Sequence, residues 1–277
     1  HKCYLPNYSV FDEARYFAKG TKPEEIFWYE DIAVGINICE DIWINNGPAE
    51  EQVKKGASLI ININASPFDI NKTESRKVNV RDKAKKLNVP ILYLNMVGGQ
   101  DELVFDGGSF AINEKKEILA RATQFKEEIL KFDIEIPNEP SEENGQLVII
   151  SDAKKLRTVD NPLPSPPLQT YEQIWNALCL GTRDYVKKNG FTDVCLGLSG
   201  GIDSALVAAI ACDAIGPEHV HAVLMPSRFS SEHSISDAED LVKRLNCHQI
   251  KVPIEPAHDA LIAMEKDHFA SSPSGIT

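Results

Sequence analysis

The sequence predicts an α/β protein built from two successive layered domains. Short apolar runs of strand length alternate with polar, helix-like stretches in the first half of the chain, and the alternation resumes in the second half. Between the halves lies a segment rich in proline and charged residues without a periodic pattern. The 277 residues, 43% of them apolar, are enough for two ordinary cores.

The first half has the element order of a layered α/β fold. Uninterrupted apolar runs indicate strands, and apolar residues recurring every three to four positions indicate helices. The predicted order is strand Ile32–Ile38, helix Pro48–Lys55, strand Ser58–Ile63, helix Glu74–Leu87, strand Val89–Leu94, a turn at Asp106-Gly107-Gly108 into a further strand, and a late strand Glu128–Ile136. The first domain is therefore expected over residues 1–137.

The second half repeats strand, helix, strand twice after a linker expected over residues 138–168. This repetition predicts a doubly wound parallel sheet over residues 169–277, with ligands at the carboxyl ends of its strands. The predicted elements are helix Tyr171–Lys188, strand Val194–Leu198, helix Asp203–Ile215, strand His219–Met225, helix Ile235–Leu245 and strand His248–Val252.

Charge and composition restrict the partners. A formal net charge of −12 argues against a general nucleic-acid binder, because phosphate neutralisation needs clustered lysine and arginine. No apolar run reaches the roughly 20 residues that span a bilayer, and the amino terminus has no signal-like apolar core, so no membrane partner is expected. The six cysteines have neither CxxC nor metal-finger spacing, which favours the reducing cytoplasm.

A glycine-rich turn at the start of the second sheet has the chemistry of a phosphate cradle. The apolar strand ending Leu196-Gly197-Leu198 runs into Ser199-Gly200-Gly201-Ile202-Asp203-Ser204, and an alanine-rich helix follows at once. Backbone N–H groups at such a turn point outward at the positive end of the helix dipole, and glycine lets the backbone approach an anion. The turn lacks the GKS or GKT ending of a Walker loop. The alternative is that Asp203 and Ser204 merely cap the helix.

This hexapeptide resembles the pyrophosphate loop of enzymes that cleave ATP to AMP and pyrophosphate, among them the GMP, argininosuccinate and asparagine synthetases and the tRNA thiolases. The resemblance implies that Ser199, Gly201 and Ser204 hold pyrophosphate and that Asp203 holds Mg²⁺. The segment Leu224–Ser231 resembles the part of NAD synthetases that borders the adenine of ATP. Arg228 is then either the cation nearest that pocket or a solvated loop arginine. The ATP-binding residues expected on this basis are Gly197, Leu198, Ser199, Gly200, Gly201, Ile202, Asp203, Ser204 and Met225.

Cys39 directly follows the apolar strand Ile32–Ile38, where a turn would expose its sulfur, as a catalytic thiol requires. Upstream, Lys2 opens a segment that contains Leu5-Pro6-Asn7-Tyr8 and Phe11-Asp12-Glu13. With Cys39-Glu40-Asp41-Ile42-Trp43 downstream, this pattern resembles the nitrilase-type glutaminase domain of glutamine-dependent NAD synthetases. The resemblance implies an αββα layer fold for the first domain and an adenine nucleotide α-hydrolase-like fold for the second.

In that superfamily a glutamate is the general base, a lysine stabilises the oxyanion, and a cysteine forms a thioester. Carried over, Cys39 is the nucleophile and Lys2 the lysine, while Tyr8, Glu40, Ser66 and Lys72 are expected to bind glutamine. Taken singly, each residue has a structural alternative, such as a core thiol for Cys39 or a surface cation for Lys2. The family's base glutamate precedes its lysine by many tens of residues, and this chain begins one residue before Lys2, so both ends of the sequence are expected to be cut.

The resemblance implies a ligase that makes NAD from deamido-NAD, L-glutamine and ATP, with Mg²⁺, as a cytoplasmic homo-oligomer. Glutamine would be hydrolysed at Cys39, and the ammonia would displace AMP from an adenylated nicotinate carboxylate. Two alternatives remain from the sequence. One is another amidotransferase with a pyrophosphate loop, against which the contexts of Lys2 and Cys39 argue. The other is a binding or regulatory protein whose glutaminase site is inactive.

Overall fold

The structure is a computed structural model, and it describes residues 1–8, 11–29, 31–136, 146–147 and 162–269. The chain divides into two compact units, residues 1–177 and 178–277, with the boundary inside the helix Thr170–Lys188. Most of the predicted linker 138–168 lies outside the described residues. None of the described helices is both long enough and apolar enough to cross a bilayer.

The first unit is organised around one mixed sheet. Its elements are α1 (Glu13–Tyr16), β1 (Ile26–Tyr29), β2 (Ile32–Ile38), α2 (Pro48–Lys54), β3 (Leu59–Asn64), α3 (Lys72–Leu87), β4 (Ile91–Asn95), β5 (Val97–Gln100), β6 (Leu103–Asp106), β7 (Phe110–Ile112), β8 (Ile118–Arg121) and β9 (Gln146–Leu147). The parallel strands β2, β3 and β4 form the centre of the sheet, and the strand order is β8-β7-β4-β3-β2-β1-β9. β1 and β7 pair antiparallel with this centre, β8 pairs antiparallel with β7, and β9 pairs parallel with β1. A separate hairpin pairs β5 with β6.

The core of this unit lies between the central strands and helix α3. Ile60 and Ile91 pair across β3 and β4, and both are fully buried, as are Val80 and Ala84 of α3. The register also aligns the strand ends, because Ile38 of β2 pairs with Ile63 of β3. The loops that follow β2, β3 and β4 therefore leave the same edge of the sheet, where ligands of parallel sheets usually bind.

The predicted late strand Glu128–Ile136 is wrong. The apolar alternation over these residues suggested one, but residues 127–136 have no regular structure and Ile129 is 90% exposed. A strand is stable only where it pairs with a neighbour and buries one face, and no strand in the described part of the chain pairs with this segment. The sequence also did not predict β1, the β5–β6 hairpin or β8.

The second unit is built on a three-stranded parallel sheet in the order β10-β11-β12, which confirms the predicted α/β class. Its core joins Leu198, Ala208, Ala222, Ala238 and Val242 from the strands and the helices between them. The elements are α4 (Thr170–Lys188, beginning in the first unit), β10 (Val194–Gly197), α5 (Ile202–Ile215), β11 (Val220–Leu224), α6 (Glu232–Leu245), β12 (His248–Lys251) and α7 (Glu255–Phe269), of which α7 was not predicted.

Candidate active site

Cys39 occupies a strained turn at the end of β2. It begins a short 3₁₀ turn, Cys39–Ile42, and its φ of +46° lies in the left-handed region, which non-glycine residues rarely adopt. The buried Asn62 side chain donates a hydrogen bond of 3.4 Å to the Cys39 carbonyl oxygen. Cys39 therefore lies just beyond a strand end, as the sequence pattern predicted, but its backbone is strained and its side chain is half-buried rather than exposed.

A cavity of about 200 Å³ opens over this turn, and we refer to it as the Cys39 pocket. It contains all four residues predicted to bind glutamine, together with the predicted nucleophile. Its lining is Tyr8, Phe11, Cys39, Glu40, Trp43, Ser66, Lys72, Ser75, Arg76 and Asn79. The chain brings these residues together from the loops after β2 and β3, from the start of α3, and from the segment before α1.

Lys2 does not line this pocket, but its charge acts on Cys39. Its ammonium donates to both carboxylate oxygens of Glu13, at 2.7 and 2.6 Å, and both side chains are mostly buried. Burial raises the pKa of the Cys39 thiol, and Lys2 is the group that opposes this shift most strongly. Glu40 and Glu13 raise it, while Lys72 lowers it. Lys2 and Lys72 therefore favour the thiolate form of Cys39 but do not outweigh burial.

The polar residues of the pocket are held in place by one another. The Tyr8 hydroxyl donates to the Glu40 carboxylate at 3.1 Å, and burial followed by the Glu40 charge raises the pKa of Tyr8. Burial and the neighbouring Arg76 lower the pKa of Lys72, whereas the Cys39 thiol acts in the opposite direction. Lys72 is thus a lysine near the thiol whose charged form is disfavoured by burial and by Arg76.

Glu13 and Arg76, two charged residues of this site, were given no role in the sequence analysis. Glu13 lies within the quoted motif but was given no role, although it is the ion-pair partner of Lys2. Arg76 lies one helical turn after Lys72 and donates to the Ser66 hydroxyl at 3.1 Å. The i, i+4 spacing from Lys72 was a signal for a shared helix face, but a surface role fits the same spacing.

In the second unit, the predicted loop is closed by its own serines. The Ser199 N–H donates to the Ser204 hydroxyl at 3.2 Å, the Gly201 N–H donates to the Ser199 hydroxyl at 3.2 Å, and the Ser204 hydroxyl donates to the Gly201 carbonyl at 3.0 Å. Gly200 has φ +84°, and a side chain there would overlap the backbone of Ser234 at the start of α6. The shape of the turn and its packing against α6 therefore require a glycine at position 200.

A cavity of about 410 Å³ lies at the carboxyl ends of β10 and β11, and we call it the Met225 pocket. Four predicted ATP-binding residues line it: Gly197, Leu198, Ser199 and Met225. Its other lining residues are Leu224, Pro226, Phe229, Ser230, Ser231, Ser234, Ile235 and Ala238. Gly200, Gly201 and Ile202 face a neighbouring open depression, and neither cavity is lined by Asp203 or Ser204.

Arg228 lies on the loop after β11 with half of its side chain exposed, which agrees with the alternative of a solvated loop arginine, but its charge is paired. It forms ion pairs with Glu255 and Asp259 of α7, and its backbone N–H also donates to Glu255 at 2.9 Å. The side chain is not among the residues that line the Met225 pocket. It ties the loop after β11 to α7, and the acidic partners that neutralise it could not be assigned from the sequence because α7 was not predicted.

The Asp203 carboxylate is exposed in the first turn of α5. Mg²⁺ in nucleotide sites is commonly held by one or two carboxylates together with substrate phosphates, so a single aspartate at this position fits such an ion. Among the described residues, the one cluster with metal-ligand spacing is Glu255, His258 and Asp259, which does not include Asp203.

Comparison with known proteins agrees with this two-part arrangement. Residues 1–138 match the family model of carbon-nitrogen hydrolases, and residues 174–273 match that of NAD synthases. The chain therefore combines a hydrolase segment that contains Cys39 with a synthase segment that contains the glycine-rich loop.

Known relatives match the chain across both segments. The chain is 41% identical over 92% of its length to the glutamine-dependent NAD(+) synthetase of Synechocystis sp. and 39% identical over its whole length to that of Thermotoga maritima. A solved structure of the Acinetobacter baumannii glutamine-dependent NAD+ synthetase with adenosine diphosphate superposes on 99% of the chain with a TM-score of 0.84 and 38% identity. The chain is thus similar over most of its length to glutamine-dependent NAD synthetases, and it spans about half of their length, 44% and 50% of the two relatives and 48% of the solved chain.

Proposed function

We propose that this protein makes NAD from deamido-NAD, using ATP and the amide nitrogen of glutamine. The observation that carries the proposal is the position of Cys39, which lies at a strained turn inside a pocket with the four residues predicted to hold glutamine. The similarity to carbon-nitrogen hydrolases, to NAD synthases and to glutamine-dependent NAD synthetases supports the same reaction.

At the first site, the Cys39 sulfur attacks the side-chain amide carbon of glutamine. The Cys39 proton passes to the general-base glutamate that the resemblance assigns upstream of the lysine, and the Lys2 ammonium stabilises the oxyanion that forms. The carbon-nitrogen bond then breaks, a proton goes to the leaving nitrogen, and ammonia departs from a γ-glutamyl thioester. Water cleaves the thioester to glutamate and restores the thiol. Lys72 pairs with the α-carboxylate of glutamine, and Tyr8, Glu40 and Ser66 orient the rest of the molecule.

At the second site, the nicotinate carboxylate of deamido-NAD attacks the α-phosphorus of ATP. Pyrophosphate leaves, and the mixed anhydride has the electrophilic carbon that a free carboxylate lacks. Ammonia attacks this carbon and AMP leaves, which gives the amide. The turn from Ser199 to Ser204 binds the pyrophosphate through backbone N–H groups and hydroxyls, and the Met225 pocket holds the adenosine part. The Acinetobacter baumannii relative was solved in complex with ADP, which supports an adenine nucleotide as a ligand of this protein.

Asp203 is the residue that would hold Mg²⁺, which when bound neutralises charge on the phosphates. We further propose that the protein acts in the cytoplasm as a homo-oligomer, as the resemblance implies.

The test uses the complete gene product that contains this sequence. AMP release from ATP is measured with ATP alone, with deamido-NAD added, and with deamido-NAD plus glutamine or ammonium. The proposal predicts that amide formation and stoichiometric AMP release require deamido-NAD and a nitrogen source. AMP release that does not respond to deamido-NAD, with no NAD formed, would contradict it and favour another substrate.

A further inference from the structure

Asp41 lies two residues after Cys39, and its carboxylate is buried. Among the described residues, no lysine or arginine side chain donates a hydrogen bond to it. Its exposed fraction is 0%. Instead it accepts three backbone N–H groups: Tyr4 at 2.8 Å and Cys3 at 3.0 Å on Oδ1, and Ile38 at 3.2 Å on Oδ2. Burial raises the pKa of the Asp41 carboxyl, and these N–H groups oppose that shift.

The three donors come from two segments of the chain that are far apart in sequence. Ile38 directly precedes Cys39, whereas Cys3 and Tyr4 directly follow Lys2. The carboxylate thus joins the turn that carries the nucleophile to the segment that carries the lysine. A second link between these segments, from the Tyr8 hydroxyl to Glu40, is exposed to solvent. The buried link is the stronger constraint, because hydrogen bonds to a charged acceptor are strengthened when water is excluded.

We propose that Asp41 is a positioning residue for glutamine hydrolysis, because its carboxylate holds the Lys2 segment against the Cys39 turn. The inference rests on the roles proposed above for Cys39 and Lys2. An asparagine in place of Asp41 would keep one acceptor oxygen, but its NH₂ group would face backbone N–H donors. At least one segment would then lose its attachment, and Lys2 would move relative to the thiol.

The reactivity of Cys39 distinguishes positioning from a simple charge effect. The charged groups that act on this thiol are Lys2, Glu40, Glu13 and Lys72. Removal of the negative Asp41 would by charge alone lower the pKa of Cys39 and speed its alkylation. Displacement of Lys2 would raise the pKa and slow alkylation, since the thiolate is the reactive form. The two explanations therefore predict changes of opposite sign.

The experiment measures alkylation of Cys39 by iodoacetamide as a function of pH, followed by mass spectrometry of the complete gene product. In Asp41→Asn, we expect alkylation at neutral pH to be about tenfold slower, which corresponds to a thiol pKa raised by about one unit. Glu50→Gln is the matched control, because Glu50 is also a buried carboxylate but binds Lys83 and Lys86 rather than the Lys2 segment. Its alkylation profile should match the parent protein.

A double-mutant cycle identifies the route of the effect. In a Lys2→Met background, Asp41→Asn should cause little further slowing, because the charge it positions is already gone. An unchanged or faster rate in Asp41→Asn, or an equal slowing with and without Lys2, would overturn the proposal. If Asp41→Asn fails to fold, Asp41→Glu displaces the same contacts while keeping the charge, and a parent rate in that folded variant would overturn it equally. The assay reports the thiol itself, so a failure of the proposed function shows separately, as absent glutamine-driven synthesis in the parent protein.

Discussion

Arg76 and Asp106 form an ion pair of 2.7 Å at the Cys39 pocket, with only 4% and 1% of their side chains exposed. Arg76 also donates to the carbonyl oxygens of Ser66 at 2.8 Å and Pro67 at 2.9 Å. The pair therefore fixes the loop that presents Ser66 to the pocket. A buried charge that loses its partner costs far more than a surface charge does, because no water replaces the partner.

The change Asp106→Asn leaves the Arg76 charge uncompensated. We expect the free energy of unfolding of the hydrolase segment to fall by about 3 to 5 kcal/mol and the KM for glutamine to rise. Urea unfolding and glutamine hydrolysis measure the two effects. The control is Asp82→Asn, which breaks the exposed pair with Lys116 and should cost less than about 1 kcal/mol. If both variants lost a similar amount of unfolding free energy, burial would not make the pair of Arg76 and Asp106 more stabilising than an exposed pair.

The buried carboxylate Glu50 predicts a particular acid dependence. Burial alone would raise its pKa, but hydrogen bonds and charge from Lys83, with a further bond from Lys86, outweigh burial and lower the pKa. A lowered carboxyl pKa contributes stability that is present above the unfolded value, near 4.5, and is lost as pH falls through the folded value. In Glu50→Gln, the deficit in unfolding free energy relative to the parent should therefore shrink as the pH falls below about 4.5. Urea midpoints from pH 7 to pH 3 test this, and a deficit independent of pH would refute it.

Gly200 and Gly190 allow backbone strain to be separated from a steric clash. Both have positive φ, +84° and +77°, but a side chain at 200 would overlap the Ser234 backbone, whereas one at 190 meets nothing within 4 Å. We expect Gly190→Ala to cost about 1 to 2 kcal/mol and to leave ammonium-driven AMP formation intact. Gly200→Ala should raise the KM for ATP strongly, because the loop and α6 must separate. If the two variants had the same kinetic constants for ATP, the loop would not be part of the nucleotide-binding site.

Asp203 tests the role proposed for Mg²⁺. Asp203→Asn should abolish amide formation with glutamine and with ammonium, or raise the Mg²⁺ concentration needed for it, while glutamine hydrolysis stays detectable. Asp213→Asn, at the other end of the same helix, is the control and should keep the parental Mg²⁺ dependence. Measurement of AMP formation against Mg²⁺ concentration separates these outcomes. A parental Mg²⁺ profile in Asp203→Asn would exclude Asp203 as the ion's ligand.

The sequence predicted most of the fold because its strands are apolar and its helices periodic. The strand Ile32–Ile38 has the predicted bounds. Apart from Glu128–Ile136, the predicted helices and strands that follow it differ from the observed bounds by at most three residues at either end. The hairpin of Val97–Gln100 and Leu103–Asp106 was missed because its first strand contains two glycines and carries little pattern. The segment Glu128–Ile136 was predicted as a strand but is not one. Its apolar residues alternate as in a strand, but no described strand pairs with it.

For the candidate site, the sequence predicted which residues line the pocket better than it predicted how the charged residues pair. The predicted Cys39, Glu40, Ser66 and Lys72 meet in one pocket, because residues just beyond strand ends and at a helix start lie at one edge of the sheet. Tyr8 joins them from the segment before α1. Which charge pairs with which other charge depends on contacts between distant segments. The sequence alone could therefore not assign Glu13 to Lys2, Asp106 to Arg76, Asp41 to the Lys2 segment, or Glu255 to Arg228.

The division of labour between the two sites is tested most directly by Cys39→Ala, with NAD formation measured from glutamine and from a high concentration of ammonium. The change removes the sulfur that forms the thioester and leaves the Met225 pocket and its loop intact. Glutamine-driven synthesis should vanish, whereas ammonium-driven synthesis should persist at a substantial fraction of the parent rate. Cys195→Ala, which changes an exposed thiol of the second unit, should retain both activities. Continued use of glutamine by Cys39→Ala, or loss of both activities in a folded protein, would contradict the account.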